Sequence, residues 1–558
     1  MAGMWTALST QPTFAVGTML LLTDGTVMCQ EAGGKNWWRL SPDSTGDYIT
    51  GSLAPLAPMH HSRLYFASAV LADGRVFVAG GEYSDAGGDL DAAELYDPVL
   101  NSWKDLPTPA GWTNIGDAPC CVLPDGKLLL GSINTTATAI FDPVSETWSS
   151  GPAKADTSSE ETWTLLPDQT VLAPECSNHP NTEKYVAPAN QWVTAGATPQ
   201  DLVQASSIEI GPAILLTDGR VLALGATGHT ALYTPPAQAN DPGSWVAGPD
   251  FPKDINGKLL EPKDAPACLL PNGRVLCVAG PAGEGGSFPG PTQFFECDGS
   301  TLTAVPNPPN HGGPPFVGRM LLVPTGQVLF GAGSADIEVY TPDGSPDEDW
   351  RPTITSYPVA VRAGRTYTIF GRQLNGLSQA VSYGDDASMA TNYPLVRLDG
   401  GGRVIYCRTF DHSTMGVATG TTTESTSFKV PAGVSPGSYR ICVIANGISS
   451  ECVPVTVVPF LLHLPINEAL VNRLIGSLAD GPLWVITPHG PEPVGPWDGD
   501  IAIRAQAAWS EIRGGIEVLE QLGRQLGPTH DALRSKEPAV AVSTPSGARR
   551  RTGVKVKT

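Results

Sequence analysis

One hairpin pattern is repeated seven times in the first 340 residues, and this repetition restricts the possible folds more than any other feature of the chain. Each copy consists of an apolar run, a tight turn and a second apolar run. The turn is usually Asp-Gly or Asn-Gly, which accepts the positive φ angles of a two-residue hairpin. The second turn residues, 43 to 54 positions apart, are Gly25, Gly74, Gly126, Gln169, Gly219, Gly273 and Gly326. A repeat of about 50 residues built from short strands is typical of a β-propeller.

Each repeat continues with the features of two more strands. A third apolar run ends in an aromatic residue and a turn that usually contains proline, and a tryptophan generally follows. Tyr96 is followed in this way by Trp103, and Phe141 by Trp148. This arrangement matches the four-stranded blade of kelch propellers, in which we expect the tryptophans to pack between neighbouring blades. The seven repeats therefore predict an all-β fold with a seven-bladed kelch-type propeller.

Residues 5–8 have the character of a fourth strand, although they precede the first repeat. They are similar to the segments that begin at Trp103 and Trp192. We therefore predict that this N-terminal strand completes the last blade, whose third strand ends near Tyr340, and that residues 1–350 form a closed propeller. Closing the ring in this way removes exposed sheet edges.

Composition and charge agree with this fold and exclude several classes of function. Glycine (62) and proline (52) are abundant, hydrophobic residues make up 41% of the chain and charged residues only 16%, as expected where many turns separate short strands. The net charge of −21 disfavours nucleic acids and anionic membrane surfaces as partners. No apolar run reaches the length of about 18 residues that a membrane span requires.

The N-terminus shows no basic segment followed by an apolar one, so no export signal is visible there. An intracellular location, export by another route and an omitted leader all remain open. The sequence does not determine the compartment.

Beyond the repeats the pattern changes three times. Residues 351–458 contain alternating strands without a repeat, which suits a small β-sandwich of the immunoglobulin type. Residues 459–500 are rich in proline and indicate a linker. Apolar residues three or four apart predict an amphipathic helix over residues 501–527. Residues 528–558 end in a basic tail that we expect to be solvated and disordered.

Ten cysteines in 558 residues do not indicate a disulfide scaffold. Two pairs nevertheless flank predicted hairpin turns, namely Cys268 with Cys277 and Cys442 with Cys452. Because no export signal is visible, we interpret both pairs as thiols on neighbouring strands rather than as disulfides.

The second repeat, residues 63–81, resembles that of galactose oxidase and its bacterial kelch relatives. The exit from the propeller, at residues 338–342 and 351–354, shows the same likeness. The domain that follows looks like the early-set domain at the C-terminus of that family. The likeness covers roughly residues 1–458 and implies a propeller followed by an immunoglobulin-like early-set sandwich.

The oxidases of this family bind copper through two tyrosines and two histidines, and one tyrosine is cross-linked to a cysteine. The cross-linked tyrosine corresponds to Tyr65, but its cysteine falls near Ala15, and the adjacent Tyr-His pair falls on Phe316 and Val317. The remaining histidine falls near Met389. Copper(II) prefers nitrogen and oxygen donors, which these residues do not supply. The resemblance therefore implies the scaffold without copper-radical chemistry, and it predicts no copper.

A different set of side chains is expected around Tyr65. This residue lies nine positions before the second turn residue of its repeat, and equivalent positions in a propeller form a ring about its axis. The residues at this offset are Val16, Tyr65, Asp117, Glu160, Ile210, Asp264 and Val317. We expect Tyr65 and the three carboxylates to face one mouth of the central channel, where they are the candidate catalytic residues. Glu161 and Glu209 lie one position off this register.

The loops that join second to third strands should open on the same face. Their polar residues are Glu82, Tyr83, Asn134, Glu175, Asn178, His179 and His229. With Glu161 and Glu209, they are the candidate ligand-binding residues. The ring suits a calcium site at Asp117, Glu160 and Asp264, an acid/base pair, or a cage for sugar hydroxyls. A polar, water-filled channel without a ligand is the remaining interpretation.

Two classes of function follow from these observations. The first is a propeller that binds a glycan or a protein and has kept the scaffold without its copper chemistry. The second is a carbohydrate-active enzyme, either a hydrolase, lyase or isomerase that uses the acidic ring, or a divergent oxidase. The replaced copper ligands favour the first class. We expect a monomer, with calcium as the one cofactor that the ring suits.

Overall fold

The computed structural model describes residues 3–85, 87–283, 287–383 and 389–459, together with a hairpin formed by Trp484–Thr487 and Gly490–Pro493. Met1–Pro459 form one compact unit, and Phe460–Thr558 belong to a second one. Within the described residues the chain consists of strands, loops and three short 3-10 turns. None of the helical turns in this part of the chain is long and apolar enough to cross a membrane.

The predictions for the C-terminal region fall almost entirely outside the described residues. This applies to the amphipathic helix at 501–527 and to the basic tail at 528–558. Of the predicted linker, 459–500, the structure describes Pro459 and the hairpin. The helix and the tail therefore stay predictions.

Seven sheets of the compact unit contain the seven repeats, one blade for each, as the sequence predicts. In chain order the strands of this part are Met4–Ala7 (β1), Val16–Leu21 (β2), Val27–Glu31 (β3), Trp37–Ser41 (β4), Ser52–Pro55 (β5), Ala67–Val70 (β6), Val76–Ala79 (β7), Ala93–Asp97 (β8), Ser102–Leu106 (β9), Cys120–Val122 (β10), Leu128–Gly131 (β11), Thr138–Asp142 (β12), Thr147–Ser150 (β13), Thr164–Leu165 (β14), Thr170–Pro174 (β15), Asn181–Val186 (β16), Gln191–Ala197 (β17), Ala213–Leu215 (β18), Val221–Leu224 (β19), Thr230–Thr234 (β20), Ser244–Ala247 (β21), Leu260–Glu261 (β22), Pro266–Leu269 (β23), Val275–Pro281 (β24), Gln293–Cys297 (β25), Leu302–Val305 (β26), Arg319–Leu322 (β27), Val328–Gly331 (β28) and Ile337–Thr341 (β29).

Each blade contains four strands in antiparallel order. Blades I to V are β2–β5, β6–β9, β10–β13, β14–β17 and β18–β21. Blade VI contains β23–β26, and β22 pairs with β24 at its edge. Blade VII contains β27–β29 and β1. The second strands, such as β7 and β11, are buried along their whole length because they lie between two neighbouring blades.

The N-terminal strand closes the ring as predicted. β1 pairs with β29 from Met4 opposite Thr341 to Ala7 opposite Glu338. The Trp5 ring centroid lies 5.1 Å from that of Phe294 in blade VI and 4.9 Å from that of Tyr340 in blade VII. One short strand therefore covers the edge of blade VII and also packs against its neighbour.

The repeated tryptophans pack between blades, which confirms the structural role predicted for them. Trp103 of blade II lies 5.8 Å from Trp37 of blade I, measured between ring centroids. Trp148 of blade III lies 6.0 Å from Phe77 of blade II. Apolar contacts between large rings therefore join consecutive blades.

The chain then forms a second layer of strands below the propeller. These strands are Thr353–Ser356 (β30), Ala360–Val361 (β31), Thr366–Arg372 (β32), Val381–Tyr383 (β33), Leu395–Gly400 (β34), Arg403–Phe410 (β35), Thr423–Lys429 (β36), Gly437–Ala445 (β37), Ile448–Ser449 (β38) and Val453–Val457 (β39). The hairpin of the second unit consists of β40 (Trp484–Thr487) and β41 (Gly490–Pro493). Eight of the strands β30–β39 form one sheet in the order β30-β32-β36-β35-β34-β37-β39-β31, β38 pairs with β37, and β33 belongs to the sheet of blade VI. The first half of β35 pairs with β34 and its second half with β36. The sheet therefore bends around a core that includes Ile369, Val396 and Phe428, as in a β-sandwich.

A segment of this second layer enters the propeller channel. β33 pairs with the inner strand β23 of blade VI, with Val381 opposite Cys268 and Tyr383 opposite Pro266. The Gln379 carboxamide oxygen accepts a hydrogen bond from Leu165 N of blade IV at 2.9 Å. The segment runs antiparallel to β23, from the end of this strand toward its start.

The prediction of free cysteines is wrong for one of the two pairs. Cys442 and Cys452 form a disulfide with a Cα–Cα distance of 4.4 Å, because the register of β37 and β39 places them directly opposite each other. Cys268 and Cys277 are free and buried. Cys268 lies opposite Leu276, one residue away from Cys277. Since successive strand residues point to opposite faces, these two thiols do not meet.

We expect the disulfide to stabilise the sandwich measurably. In the chain-entropy description, closing a loop of this size contributes about 2 to 3 kcal/mol to the free energy of unfolding. A variant with both Cys442→Ser and Cys452→Ser should therefore unfold at lower denaturant concentration than the wild-type chain. A reductant should lower the stability of the wild-type chain and leave the variant unchanged. Equal stability of the two proteins in oxidising buffer would contradict the assignment.

Candidate functional site

Three of the predicted ring positions share an unusual backbone conformation. Tyr65, Glu160 and Asp264 have φ angles of 49°, 60° and 50°, in the left-handed region that residues other than glycine rarely adopt. The fourth polar member, Asp117, follows Gly116, whose φ is 68°. Each of these residues precedes the inner strand of its blade, so one type of turn recurs at the same mouth. A strained conformation of this kind persists only where the surrounding structure enforces it.

The other three ring positions are apolar. Val16 and Ile210 are buried, and Val317 is half-buried in a 3-10 turn that precedes β27. The polar members therefore come from blades II, III, IV and VI. The mouth has a polar side at blades II to IV and a separate polar side at blade VI.

Tyr83 is an exposed aromatic residue close to the carboxylates of blades II to IV. Backbone hydrogen bonds between Leu64 and Glu82, at 3.1 and 2.7 Å, hold its loop beside the start of the inner strand. The Tyr83 side chain is exposed, and its ring centroid lies 6.3 Å from that of Tyr65 in an edge-to-face arrangement. Nearby carboxylates, above all Glu82 and then Asp117, Asp89 and Glu160, raise the pKa of Tyr83, with partial burial contributing. Negative charge is therefore concentrated around one exposed aromatic ring.

The loop residues predicted in blades IV and V contact other polar side chains of their own loops or of the connections to the next blade. Asn178 Nδ2 donates to Glu175 Oε2 at 2.6 Å, and Glu175 is buried. His179 Nδ1 lies 2.8 Å from Asp201 Oδ1, and His229 Nδ1 lies 2.9 Å from Asp250 Oδ1. These two pairs occupy equivalent places in consecutive blades. Asn134, in the corresponding loop of blade III, is exposed.

The structure places Glu161, one of the predicted ligand-binding residues, in the interior of the protein. Its side chain is fully buried, accepts a hydrogen bond from Trp163 Nε1 at 2.9 Å, and lies 2.9 Å from Lys154 Nζ. Lys154 Nζ also contacts Glu183 Oε1 at 2.6 Å. Burial raises the pKa of Glu161 to about 7, against the opposing effect of Lys154. Glu160 and Glu161 are adjacent in the turn before β14, yet Glu160 is half-buried at the predicted ring position and Glu161 lies in the interior.

A second polar group lies at blade VI, and the sequence does not single out its members. Glu261, at the end of β22, and Lys263, in the turn that follows, are both buried. Lys263 Nζ lies 4.2 Å from the ring centroid of Phe288 and donates to Ser287 O at 3.0 Å. Burial raises the pKa of Glu261 and lowers the pKa of Lys263. The negative charges of Glu261, Glu209 and Asp264 act against the lowering at Lys263. The proximity of Lys263 to Asp264 in sequence is the only signal that could have found this group.

The residues around Tyr65 differ from the copper ligands of the family's oxidases. The Arg319 guanidinium lies 5.5 Å from the Tyr65 ring centroid. Phe316 packs its ring edge-to-face against Phe288 at 5.1 Å. Met389 is buried in the main apolar core. Arginine and phenylalanine do not coordinate copper(II), and the Met389 thioether is buried in the core, so these residues do not match the family's set of two tyrosines and two histidines.

The three carboxylates of the ring do not form a compact metal site either. Across the described ranges, the groups of three potential ligands whose atoms lie within 4.8 Å of one another are His60–Glu94–Asp105 and Asp399–Cys442–Cys452. Neither group contains Asp117, Glu160 or Asp264. The cysteines of the second group form the disulfide described above and are not free to bind a metal. Calcium at the ring is thus a prediction that this geometry does not favour.

Comparisons with known proteins provide one family match and several distant structural neighbours. Residues 63–110, which include blade II, match the Kelch motif. No curated protein matches the chain. A fungal alcohol oxidase of the AA5 family, solved in complex with copper, is 14% identical over 82% of this chain and 99% of its own, with a TM-score of 0.47. Virginiamycin B lyase from Staphylococcus aureus is 10% identical over 61% of this chain and 99% of its own, with a TM-score of 0.39.

The chain therefore forms a seven-bladed β-propeller whose second blade matches the Kelch motif, followed by further β-structure consistent with a β-sandwich. This conclusion rests on the strand pairing and the motif match. The two solved structures are too distant from this chain to carry an argument about its activity.

Proposed function

We propose that this propeller binds a carbohydrate at its channel mouth and has no copper-radical chemistry. The observation that supports the proposal most is the exposed Tyr83 ring among the carboxylates of Glu82, Asp117 and Glu160. A tyrosine ring can pack against the apolar face of a sugar, while carboxylates accept hydrogen bonds from its hydroxyls. The same carboxylates would repel phosphorylated ligands.

The backbone around the mouth supports a preformed binding site. The left-handed turns at Tyr65 and Tyr83 place the two rings edge to face, so a ligand can contact Tyr83 without a large rearrangement. Preorganised side chains lose less conformational entropy on binding. A protein is the alternative ligand for a binding site at this mouth. The glycan-binding experiment below distinguishes a protein ligand from a carbohydrate.

Acid–base chemistry on a bound carbohydrate is the second candidate function. It is favoured by Glu261 and Lys263, a buried acid with a raised pKa beside a buried base with a lowered pKa. Ionisable groups with shifted pKa values occur often at catalytic sites. In this alternative Glu261 gives a proton to the substrate and Lys263 or a ring carboxylate accepts one.

We expect Tyr83→Ala to weaken carbohydrate binding about tenfold or more, which corresponds to roughly 1.4 kcal/mol. The measurement is a glycan array followed by calorimetry with the strongest saccharide. Phe370→Ala is the matched control, because Phe370 is an exposed aromatic residue on β32 of the sandwich. Absence of glycan binding by the wild-type chain, or equal losses in both variants, would overturn the proposal and direct the search to protein ligands.

Amide variants of the ring separate binding from catalysis. Asp117→Asn, Glu160→Gln and Asp264→Asn keep the size of each side chain and remove its charge. If the protein is an enzyme, these variants should lose turnover of the bound saccharide with little loss of affinity. Turnover is measured as the formation of product. A binding protein would show altered affinity and no product with any of the proteins.

A further inference from the structure

A cluster of one imidazole and two carboxylates lies outside the ring, at the outer strands of blade II. His60 belongs to the connection between blades I and II, Glu94 to β8, and Asp105 to β9. His60 Nδ1 lies 2.6 Å from Asp105 Oδ1 and 3.5 Å from Glu94 Oε2. One ligand atom from each residue lies within 4.8 Å of the other two.

The buried member of the cluster is held rigidly. The Glu94 side chain is fully buried, and its Oε1 accepts from Arg63 Nη2 at 2.6 Å. Glu94 Oε2 accepts from the backbone N–H of His60 at 2.6 Å and is also the oxygen nearer to the imidazole. The arginine therefore binds one oxygen, while the other oxygen is directed toward His60.

The two outer members can adjust their positions. The side chains of His60 and Asp105 are exposed by 45% and 65%. Small rotations of these side chains would open the 2.6 Å contact to the separation of about 3.3 Å that two donors have when each lies about 2.0 Å from a tetrahedral ion. The cluster thus combines one fixed ligand with two adaptable ones.

We propose that His60, Glu94 and Asp105 bind a divalent transition-metal ion, with Zn²⁺ as the best fit. One imidazole nitrogen and two carboxylate oxygens form a donor set that zinc accepts, with a fourth position open to water. Calcium prefers six to eight oxygen ligands, which this cluster does not provide. The positive charge of Arg63 on Glu94 reduces the attraction for the ion, so we expect a site of moderate affinity.

Zinc at this position would link segments that are distant in sequence. His60 lies in the connection that leads from blade I, while Glu94 and Asp105 lie on adjacent outer strands of blade II. An ion bound by all three residues binds the folded chain and not the unfolded one, so it should stabilise the fold. This role is independent of the ligand proposed for the channel mouth.

The test uses the full chain, Zn²⁺ as the probe, and two readouts: bound zinc after equilibrium dialysis, and the midpoint of thermal unfolding. Zinc should bind to the wild-type chain and raise its unfolding temperature. His60→Gln and Asp105→Asn should each bind one zinc fewer and lose that increase. Both changes affect exposed side chains, so the variants should fold, which circular dichroism without zinc would verify.

Asp250→Asn is the matched control, because it disrupts the exposed His229–Asp250 pair, which lacks a third carboxylate within reach among the described residues. This variant should keep the zinc and the thermal shift. The proposal is overturned if the wild-type chain binds no zinc, or if His60→Gln and Asp105→Asn bind as much zinc as the wild-type chain. It is also overturned if Asp250→Asn loses as much zinc as these two variants.

Discussion

Arg63→Met is expected to lower the free energy of unfolding by about 3 to 5 kcal/mol, because it leaves a buried carboxylate without its partner. Both side chains of the Arg63–Glu94 pair are fully buried, and Nη2 lies 2.6 Å from Oε1. Arg63 Nη1 also donates to Gly80 O at 2.8 Å and Ala92 O at 3.0 Å. Loss of the guanidinium removes one hydrogen bond from each of these two carbonyl groups. It also leaves the buried Glu94 carboxylate without a counter-charge, held only by backbone N–H groups such as that of His60.

Chemical denaturation of matched variants measures this effect. Arg75→Met is the control, because Arg75 forms ion pairs with Asp73 and Glu146 near the surface. Partly exposed pairs contribute only about 0 to 1 kcal/mol. The double variant Arg63→Met, Glu94→Gln should recover part of the loss, since it removes the uncompensated charge. Similar losses in the Arg63 and Arg75 single variants would show that burial of the pair has no special cost.

Lys154→Met is expected to destabilise the protein by about 3 to 5 kcal/mol at pH 8, and by less at pH 5. Lys154 is the buried cation that lies between Glu161 and Glu183. Since the pKa of Glu161 is raised to about 7, this carboxyl is protonated at pH 5 and charged at pH 8. The variant therefore leaves more uncompensated charge in the interior at the higher pH.

Titration of Glu161 should also make the free energy of unfolding of the wild-type chain depend on pH. A carboxyl with a raised pKa binds more protons in the folded state, so its contribution to stability is complete below pH 4.5 and is lost as the pH rises to about 7. Unfolding free energies of the wild-type chain, Lys154→Met and Glu161→Gln, measured from pH 5 to 8, would isolate this contribution. Glu161→Gln should flatten the slope. If Lys154→Met lowers the free energy of unfolding by the same amount at every pH, the raised pKa assigned to Glu161 is contradicted.

The candidate site could be predicted only in part from the repeats. Their register correctly brings Tyr65, Glu160 and Asp264 to equivalent turns, because equivalent positions in a propeller are related by its rotation axis. Tyr83 was found in the same way, through the loop that faces this turn. Lys263, Arg319 and the rings of Phe288 and Phe316 were missed, because they contact the mouth from positions that differ from blade to blade.

Burial of charged groups could not be read from the sequence. Glu160 and Glu161 are adjacent and chemically identical, yet the first faces the mouth and the second is paired with Lys154 in the interior. The sequence also could not show which cysteines face each other. The offset of one residue between Cys268 and Cys277, and the direct opposition of Cys442 and Cys452, depend on the register of pairing in each hairpin.

The sequence by itself determined the number of blades, their four-stranded form and the closure by the N-terminal strand. These features follow from local turn chemistry and from the spacing of apolar runs, which act within about 50 residues of chain. Only the tertiary structure decided which side chains face one another across blades, including Tyr65 with Arg319 and His60 with Glu94 and Asp105. Such contacts join segments far apart in the chain, and their geometry depends on the packing of whole sheets.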